Sequence, residues 1–369
     1  MLIGIDVRLW SQTGVGRYIR NLVLNLETLD QRNKYILFAI EEDVEGIRKA
    51  LGNDNFKIVP TDVRWHTLSE QTKFRRIINR ENLDLVHFPY FSLPVFYQGS
   101  YVLTVHDLIL NHFPTGKAST KNLLYYNLKR RAYLFVIKRA ARNAKKIIAV
   151  SAATKHEIVD HLGVDGNKVS VIYEGVEGFV ISKENASKPK DPYVLYVGNV
   201  YPHKNSERMI LAFLKADKPR DAKLIFVGKE DFFYDNLKRK VGKLDTKGSI
   251  KFYGYVDDVR LASLYKNASA LITPSLMEGF GLPVLEAMVN GCLVLCSSIP
   301  SLREIAGASA IYFDPMDIHD MSRKIEFALS GSNKEAYVNK GLVRSKNFSW
   351  KKMAKETLKV YDSSTSPES

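Results

Sequence analysis

Short apolar runs rich in β-branched residues alternate along the chain with segments in which apolar positions recur at helical spacing. The first pattern is typical of strands buried in parallel sheets, and the second predicts the helices that connect them. In the first half the predicted strands are 2–7, 34–40, 56–60, 83–89, 101–107, 145–151 and 168–173, and the predicted helices include 15–29, 67–81, 120–143 and 152–162. In the second half the predicted strands are 193–198, 223–228, 250–255, 269–273, 292–297 and 311–313, and the predicted helices are about 204–216, 232–242, 257–266, 283–290, 300–306 and 317–329. This alternation predicts two Rossmann-like α/β domains, each with a parallel sheet.

The two sets are separated by a polar stretch with two prolines, 182–192, which is predicted to be a linker. The first domain is therefore expected to span 1–181 and the second 193–349. A last helix, 350–362, is expected to cross back to the first domain, and the tail 363–369 to be disordered. Because ligands of such sheets bind beyond the carboxyl ends of the strands, a cleft between two facing domains is the expected active site.

Composition is that of an ordinary soluble globular protein, with 45% hydrophobic and 25% charged residues in a chain of 369. No apolar run reaches the roughly 20 residues of a transmembrane helix, and the chain opens on a strand pattern rather than a signal peptide. Cys292 and Cys296 flank one apolar strand and are predicted to be buried hydrophobic residues. A reducing, cytoplasmic location is expected.

Positive charge is concentrated in one part of the chain. The net charge is +14, and residues 1–181 and 182–369 each contribute +7, but the stretch from Leu108 to His156 holds eleven Lys or Arg and no acidic residue. The predicted basic helix within it, 123–142, is either a core helix with a solvated basic face or a surface that docks on an anionic membrane. No nucleic-acid-binding module is recognisable, so no nucleic-acid partner is expected.

Candidate chemistry is densest from Glu278 to Glu286, which reads Glu-Gly-Phe-Gly-Leu-Pro-Val-Leu-Glu and follows a predicted strand. Pro283 fits the first turn of a helix. Backbone N–H groups and the helix dipole at such a junction favour anions. Glu286 can accept two hydrogen bonds from the diol of a ribose, and Glu278 with the turn amides can hold sugar hydroxyls or phosphate. The alternative is a solvated loop with two surface glutamates.

This segment resembles the Glu-x7-Glu motif of retaining glycosyltransferases of family 4. The continuation from Gly291 to Gly307 and the pair Asp314-Pro315 are also similar to that family, and the likeness extends from Gly4 to about Tyr361. The resemblance implies the GT-B fold, in which two Rossmann-like domains face each other across a deep cleft. It also implies an acceptor-side first domain, a nucleotide-sugar donor domain in the second half, and chemistry that needs neither a metal nor another cofactor.

The resemblance assigns a catalytic role to His106, at the end of an apolar strand, as well as to Glu278. A histidine there approaches the transferred sugar in the family, whereas the alternative is a strand-end histidine satisfied by a backbone group. Thr13-Gly-Val-Gly-Arg-Tyr18 opens a helix after the first strand. Its two glycines permit a tight turn, and the family likeness points to Gly14 and Gly16 as binding residues near the donor diphosphate.

Lys204 is predicted to open a helix, and its ammonium is expected to contact the donor diphosphate as a point charge. Many family members have Arg where Asn199 stands, so the first cation of their clamp is missing; His203 or Arg17 compensates, or Lys204 acts more alone. By the same likeness, substrate contacts are expected from Asn199, Lys204, Val256, Phe280, Gly281, Leu282 and Glu286. Val256 would touch the nucleotide base through backbone groups, before a helix capped by Asp257.

Together these features predict a retaining glycosyltransferase for a hexose, with mannose among the candidates, that acts in glycan, polysaccharide or glycolipid synthesis. The expected partners are a nucleotide-sugar donor and a saccharide or lipid-linked acceptor. GDP-mannose, a UDP-sugar and dTDP-rhamnose all stay open as donors. The alternatives are a nucleotide-sugar epimerase or another GT-B relative, and a non-enzymatic basic protein that binds anionic lipid or nucleic acid. A peripheral contact with the inner face of the membrane is a further hypothesis.

Overall fold

The structure, a computed structural model, describes residues 1–52, 54–113, 123–176, 191–330 and 334–365, and of 123–130 it describes the backbone only. Most of the predicted linker and the end of the predicted tail lie outside these residues. The strands are β1 (Leu2–Asp6), β2 (Lys34–Ile40), β3 (Phe56–Thr61), β4 (Leu85–Phe88), β5 (Tyr101–Val105), β6 (Lys146–Ala149), β7 (Val169–Val171), β8 (Tyr193–Val197), β9 (Lys223–Val227), β10 (Ile250–Phe252), β11 (Ala270–Thr273), β12 (Val294–Ser297) and β13 (Ala310–Phe313). All pair in parallel, as the continuous apolar runs predict.

The helices follow the predicted alternation, with three additions. They are α1 (Val15–Leu29), α2 (Val44–Ala50), α3 (Arg75–Arg80), α4 (Ile109–His112), α5 (Leu123–Asn143), α6 (Ala152–Leu162), α7 (Ser206–Lys215), α8 (Phe232–Leu244), α9 (Asp258–Asn267), α10 (Leu282–Val289), α11 (Pro300–Ala306), α12 (Ile318–Leu329), α13 (Glu335–Ser345) and α14 (Trp350–Thr365). Sequence patterns did not predict α2, α4 or α13. The predicted helix 67–81 is a single π-helical turn, Glu70–Phe74, that leads into the short α3.

The chain divides into two compact units. Unit 1 comprises Met1–Leu108, Leu123–Gly175 and Ser349–Ser369, and its sheet has the strand order β3-β2-β1-β4-β5-β6-β7. In this order the direction of the connections reverses between β1 and β4. Polar loops that follow these two strands therefore meet at the carboxyl edge of the sheet, which is where such folds bind ligands.

The last helix, α14, belongs to unit 1. Its apolar face buries Met353, Ala354 and Tyr361, and the Tyr361 hydroxyl is hydrogen-bonded to the ring of His87 at 2.6 Å. His87 is fully buried and also contacts the Thr104 hydroxyl, so it is a structural residue. The helix continues to Thr365, three residues into the segment that was predicted to be disordered.

Unit 2 comprises Ile109–Asn122 and Val176–Phe348, and its sheet has the order β10-β9-β8-β11-β12-β13. Its core is a continuous apolar cluster that includes Met209 and Phe213 of α7, Phe226 of β9 and Ile325 of α12. The connections reverse between β8 and β11. The loops after these strands carry Lys204 and Glu278, so the topology brings the two predicted charged residues to one edge.

Both cysteines are free and buried, as predicted. Within the described residues, no helix combines the length and the apolar character that a membrane span requires.

Candidate functional site

Two loops of unit 2 are held together at the carboxyl ends of β8 and β11. The side-chain amide of Asn205 donates to the Pro274 carbonyl at 3.1 Å and to the Pro315 carbonyl at 2.7 Å. The Leu276 N–H donates to the carbonyl of His203 at 2.7 Å. Because Asn205 stands at the left-handed φ of 57°, the chain turns sharply just before α7. Lys204 therefore ends a short 3-10 turn and does not open the helix, contrary to the prediction.

This arrangement brings Lys204 and Glu278 into direct contact. The Lys204 ammonium donates to Glu278 Oε1 at 2.6 Å, and the Ser275 hydroxyl donates to the same oxygen at 2.6 Å. The side chains are only 17% and 13% exposed. Burial by itself would raise the pKa of Glu278, but the charge and hydrogen bond of Lys204 outweigh it and hold that pKa below its usual value. The Glu278 carboxyl is therefore ionised at neutral pH.

His203 precedes this pair and is buried, and its Nδ1 atom has no hydrogen-bond partner within the described residues. Burial, reinforced by the neighbouring Lys204 charge, lowers the pKa of His203 to about 4. The ring is therefore neutral at pH 7. As a neutral ring, His203 adds no positive charge beside Lys204.

Asn199 lies in the loop after β8, and its bonds are local. Its carbonyl accepts a hydrogen bond from the Tyr196 hydroxyl, and its Oδ1 atom accepts one from the Tyr201 N–H at 3.4 Å. These contacts shape the loop that carries Lys204. They supply no positive charge, so Lys204 is the cation that the structure places against Glu278.

Glu286 lies on α10 and is only 4% exposed. Its Oε2 atom accepts a hydrogen bond from the buried Tyr265 hydroxyl of α9 at 2.8 Å. Burial of a carboxylate is costly unless hydrogen bonds compensate it. The bond from Tyr265 provides such compensation for the buried Glu286 carboxylate. The alternative of two surface glutamates is therefore excluded.

The start of α10 is shaped by backbone geometry. Gly281 is the N-cap residue with φ of 109°, and a Cβ atom there would lie 2.7 Å from Leu302 Cδ2. The ring of Phe280 is buried and packs edge-on against Phe348 at 6.0 Å. A ligand can therefore reach only the backbone of Phe280. Leu282 begins the helix, with Pro283 in its first turn as predicted.

Val256 lies apart from the charged pair. It is buried after β10, which is two strands away from β8 in the sheet. The Gly228 N–H donates to the Gly254 carbonyl at 3.0 Å and joins the loops after β9 and β10. The Asp257 side chain accepts from the Arg260 N–H at 2.7 Å, which confirms the predicted helix cap.

In unit 1, the two glycines of the first loop have different structural roles. Gly14 is the N-cap residue of α1 with φ of 62° and open space around it. A Cβ atom on Gly16 would lie 2.6 Å from the Leu9 carbonyl oxygen and 2.7 Å from that of Trp10. Gly16 therefore permits close packing of α1 on the preceding loop, whereas Gly14 stands at an open position.

His106 follows β5, and both of its ring nitrogens have partners. Nδ1 lies 3.0 Å from Glu174 Oε1, and Nε2 lies 3.0 Å from the Pro89 carbonyl oxygen. The ring also packs edge-on against Tyr18, with 4.9 Å between centroids. Both polar neighbours of the ring are oxygen atoms that accept hydrogen bonds. These contacts fix the orientation of the His106 ring.

Glu174 was missed by sequence reasoning, although it is buried and contacts the predicted catalytic residue. It follows β7, so the strand-end rule that singled out His106 could also have found it. The next residue, Gly175, permits a close approach to α14, because a Cβ atom there would lie 2.1 Å from the Trp350 nitrogen.

A second missed cluster is centred on Arg8, which is buried at the end of β1. Its guanidinium forms two hydrogen bonds to Asp6, at 2.9 and 2.7 Å, and one to Glu70 at 2.7 Å. It also donates to the Ser92 carbonyl at 3.3 Å, and the Ser92 hydroxyl donates to Glu70 at 2.6 Å. Ser92 lies in the loop that carries Pro89. The Arg8 cluster therefore anchors the loop that contacts His106.

Known proteins define the class to which this architecture belongs. The structure superposes on Anabaena Alr3699/HepE in complex with UDP and glucose with a TM-score of 0.78, at 16% identity, covering 98% of this chain and 100% of that one. WaaG, a glycosyltransferase involved in lipopolysaccharide biosynthesis, gives 0.73 at 15% identity, with 98% and 99% covered. Two parallel Rossmann sheets of this kind are characteristic of the GT-B fold, and the predicted fold is confirmed.

The particular family follows from sequence comparison. Residues 12–177 match the model described as Glycosyltransferase Family 4, and residues 179–341 match Glycosyl transferases group 1. The O-antigen chain mannosyltransferase RfbU of Salmonella typhimurium is 30% identical over 258 residues, covering 69% of this chain and 67% of that protein. O-antigen chain mannosyltransferase B of Escherichia coli is 28% identical over 289 residues, with 75% and 74% covered. The chain belongs to glycosyltransferase family 4, so the predicted family and enzyme class are confirmed.

Proposed function

We propose that this glycosyltransferase moves a hexose from a nucleoside diphosphate sugar to a hydroxyl acceptor, with retention of configuration at the anomeric carbon. The observation that carries the proposal is the contact between Lys204 and Glu278 at the carboxyl edge of the unit 2 sheet. A cation and a carboxylate at this edge provide for the two parts of a donor, its diphosphate and its sugar hydroxyls.

Donor binding would exchange partners within this pair. The Lys204 ammonium turns to the diphosphate, whose charge exceeds that of one carboxylate, and Glu278 is then free to accept hydrogen bonds from the sugar. Glu286 would accept from the ribose hydroxyls in place of Tyr265. Asn199, Gly14 and Gly16 would line the diphosphate. Backbone groups of Phe280, Gly281 and Leu282 would meet the sugar and phosphate, and those of Val256 the base.

The transfer step needs no base supplied by the protein. The bond between the anomeric carbon and the diphosphate oxygen breaks, and a bond to the acceptor oxygen forms on the same face of the sugar. The acceptor proton passes to an oxygen of the leaving diphosphate. Both nitrogens of His106 already contact oxygen atoms of the protein, so its proposed role is to hold a fixed orientation beside the transferred sugar. Lys204 stabilises the leaving group, and no metal or other cofactor is required.

Mannose is the proposed hexose and a GDP-sugar the first donor to test, because the relatives RfbU and mannosyltransferase B are named as mannosyltransferases. The proposed acceptor is a saccharide or lipid-linked saccharide in polysaccharide synthesis. The proposed location is the cytoplasm, at the inner face of the membrane, where such an acceptor would be presented.

The experiment is a donor screen followed by product analysis. GDP-mannose, UDP-glucose and dTDP-rhamnose are compared by thermal shift, since a bound donor stabilises the folded protein by mass action. The best donor is then incubated with lipid-linked and free saccharides in the presence of EDTA, and nucleoside diphosphate release is measured. Release that requires the acceptor, with a retained anomeric configuration by NMR, supports the proposal. An inverted product, loss of activity in EDTA, or a donor epimerised without acceptor would each contradict it.

A further inference from the structure

Four aromatic rings form a cluster beside the carboxyl edge of the unit 1 sheet. Tyr90 and Phe91, in the loop after β4, lie with 4.0 Å between their ring centroids. The ring of His66, in the loop after β3, lies 5.8 Å from that of Tyr90 and 5.7 Å from that of Phe91. Tyr133 of α5 packs edge-on against Phe91 at 5.1 Å. We call these four residues the aromatic cluster.

The aromatic cluster presents two of its rings to solvent at an angle. Phe91, which contacts the other three rings, is buried, whereas Tyr90 is half-buried and His66 is exposed. The planes of the His66 and Tyr90 rings meet at 64°. The two rings therefore form an angled wall, which can contact a ligand from two sides.

The surrounding structure holds His66 in an unusual backbone conformation. Its φ of 59° lies in the left-handed region, which costs free energy for a residue other than glycine. The His66 N–H donates to the Ser92 hydroxyl oxygen at 3.0 Å, and the guanidinium of Arg8 donates to the carbonyls of Val63 and Ser92. The position of the ring is therefore set by the loops after β1, β3 and β4 together. Strain that a fold supports in this way is concentrated at sites that bind ligands.

The aromatic cluster adjoins the loop ends that hold the proposed catalytic histidine. Pro89, whose carbonyl oxygen lies 3.0 Å from His106 Nε2, immediately precedes Tyr90. Asp107 immediately follows His106, and burial, the charge of Asp107 and the neighbouring Tyr90 together raise the pKa of Tyr133 above its ordinary value. A carboxylate and two phenol hydroxyls thus lie beside the exposed rings and close to His106 in the chain.

This combination of groups is suited to a neutral sugar. A pyranose presents C–H groups on one face, which the negative faces of aromatic rings attract, and hydroxyls around its edge, from which a carboxylate accepts hydrogen bonds. A phosphorylated ligand fits less well, because the charge of Asp107 would repel it. An acyl chain fits less well, because it would cover the carboxylate and the phenols without offering them hydrogen bonds.

We propose that the aromatic cluster and Asp107 bind the terminal sugar of the acceptor, whose hydroxyl attacks the donor. The C–H face of this sugar stacks on His66 and Tyr90, and the Asp107 carboxylate accepts hydrogen bonds from its hydroxyls. The identity of the sugar as the acceptor rests on the proposed function. Its binding to unit 1 does not, because this binding is measured without any donor.

Direct binding is tested with methyl α-mannoside and methyl N-acetyl-β-glucosaminide as probes. Saturation-transfer NMR should give the strongest signals for the C–H protons of one sugar face, because these protons lie against the rings. Tyr90→Leu should abolish this pattern, and Phe96→Leu should keep it. Phe96 is the matched control, since it lies in the same loop, is 54% exposed and stands outside the aromatic cluster. Even saturation of all sugar protons, no binding of either probe, or an unchanged pattern in Tyr90→Leu would overturn the proposal.

Kinetics separate acceptor binding from general effects on the fold. His66→Asn removes the ring without adding strain, because asparagine tolerates a left-handed φ. With either glycoside as acceptor, His66→Asn and Tyr90→Leu should raise KM for the acceptor at least about fivefold, while KM for the donor stays within about twofold. Tyr90→Phe should keep the wild-type KM for the acceptor, because the ring face is retained. Equal increases of both KM values, or no change in either, would overturn the acceptor site.

The choice of a neutral sugar is tested with glycerol phosphate. The wild type should give no saturation-transfer signal with this anion, because Asp107 repels it. A signal stronger than that of the two glycosides would overturn the assignment of a neutral ligand.

The saccharide site and the proposed function fail in different ways. If the glycosides bind the aromatic cluster and no nucleotide sugar reacts, the proposed function fails and the saccharide site stands. If transfer proceeds while His66→Asn and Tyr90→Leu leave KM for the acceptor unchanged, the saccharide site fails and the proposed function stands.

Discussion

The loops at the carboxyl edges of the two sheets hold their polar side chains in different ways. In unit 2, Lys204 and Glu278 come from the loops after β8 and β11 and neutralise each other directly. In unit 1, His106 is held by Glu174, 68 residues away in sequence, and by Pro89. The unit 2 pair has bonds that a ligand can replace, whereas the unit 1 ring is held by a buried scaffold. The first arrangement is suited to binding a charged donor, and the second to holding one group in a fixed orientation.

Removal of Lys204 is expected to have the largest effect. Lys204→Ala leaves the Glu278 carboxylate without its cation and removes the proposed diphosphate contact, at a cost of about 3 kcal/mol in diphosphate binding, or roughly 100-fold. The affinity for the bare nucleoside should change little. Calorimetric titration with both ligands is the measurement, and Lys204→Ala/Glu278→Gln is the control for the unpaired carboxylate. Equal weakening of both ligands would mean that Lys204 supports the fold instead.

The second largest effect on nucleotide binding is expected from substitution of Glu286. Glu286→Ala should weaken nucleoside diphosphate binding by about 1–3 kcal/mol, because ribose hydroxyls would be left without an acceptor. Tyr265→Phe is the matched control, since it removes the hydroxyl that contacts Glu286 and keeps the carboxylate. The control should bind the nucleotide as well as the wild type or more tightly. Unchanged affinity in Glu286→Ala would remove this residue from the donor site.

The unit 1 scaffold is expected to affect turnover rather than donor affinity. His106→Ala should lower kcat about tenfold or more, equivalent to at least about 1.4 kcal/mol in the barrier. Glu174→Gln should lower kcat in the same direction, and neither variant should raise KM for the donor. Asp30→Asn is the control, because Asp30 is a buried carboxylate of unit 1 that is bonded to Tyr35 and Asn33. A loss of stability without a change in kcat in all three would assign a structural role to the His106 contacts.

The smallest effect concerns pH. The folded-state pKa of His203 is about 4, below the ordinary value of 6.5, so the unfolded chain takes up a proton first as the pH falls. The stability that the neutral ring contributes is complete above pH 6.5 and is lost as the pH falls toward 4. At pH 5.5 the loss is roughly 1 to 1.5 kcal/mol.

His203→Gln should flatten this part of the stability profile relative to the wild type in denaturant titrations at pH 7.5 and 5.5. Burial lowers the pKa of His87 to about 3, so His87 contributes a similar slope in both proteins and cancels in the difference. Parallel profiles for the two proteins would show that the His203 ring is not held neutral by the fold.

Local patterns determined most of the secondary structure and the family. The predicted bounds of α1, β2, α6 and α11 coincide with the observed ones, because apolar periodicity and capping residues act within a few residues of each other. The motif that contains Glu278, Pro283 and Glu286 could also be recognised from the sequence, because these residues occupy a single strand-to-helix junction. The short helices α2 and α13 carry little periodicity and were missed for that reason.

Only the tertiary structure decided how the charged residues are partnered. Glu174 reaches His106, and Arg8 reaches Glu70, across separations that no local pattern encodes. The π-helical turn at Glu70–Phe74, where a continuous helix was predicted, carries the carboxylate that Arg8 and Ser92 contact. The neutrality of His203 likewise depends on burial beside Lys204. Hydrophobic pattern specifies which residues are inside, but the cost of burying a charge depends on which groups the fold brings within hydrogen-bond distance, and those groups come from distant parts of the chain.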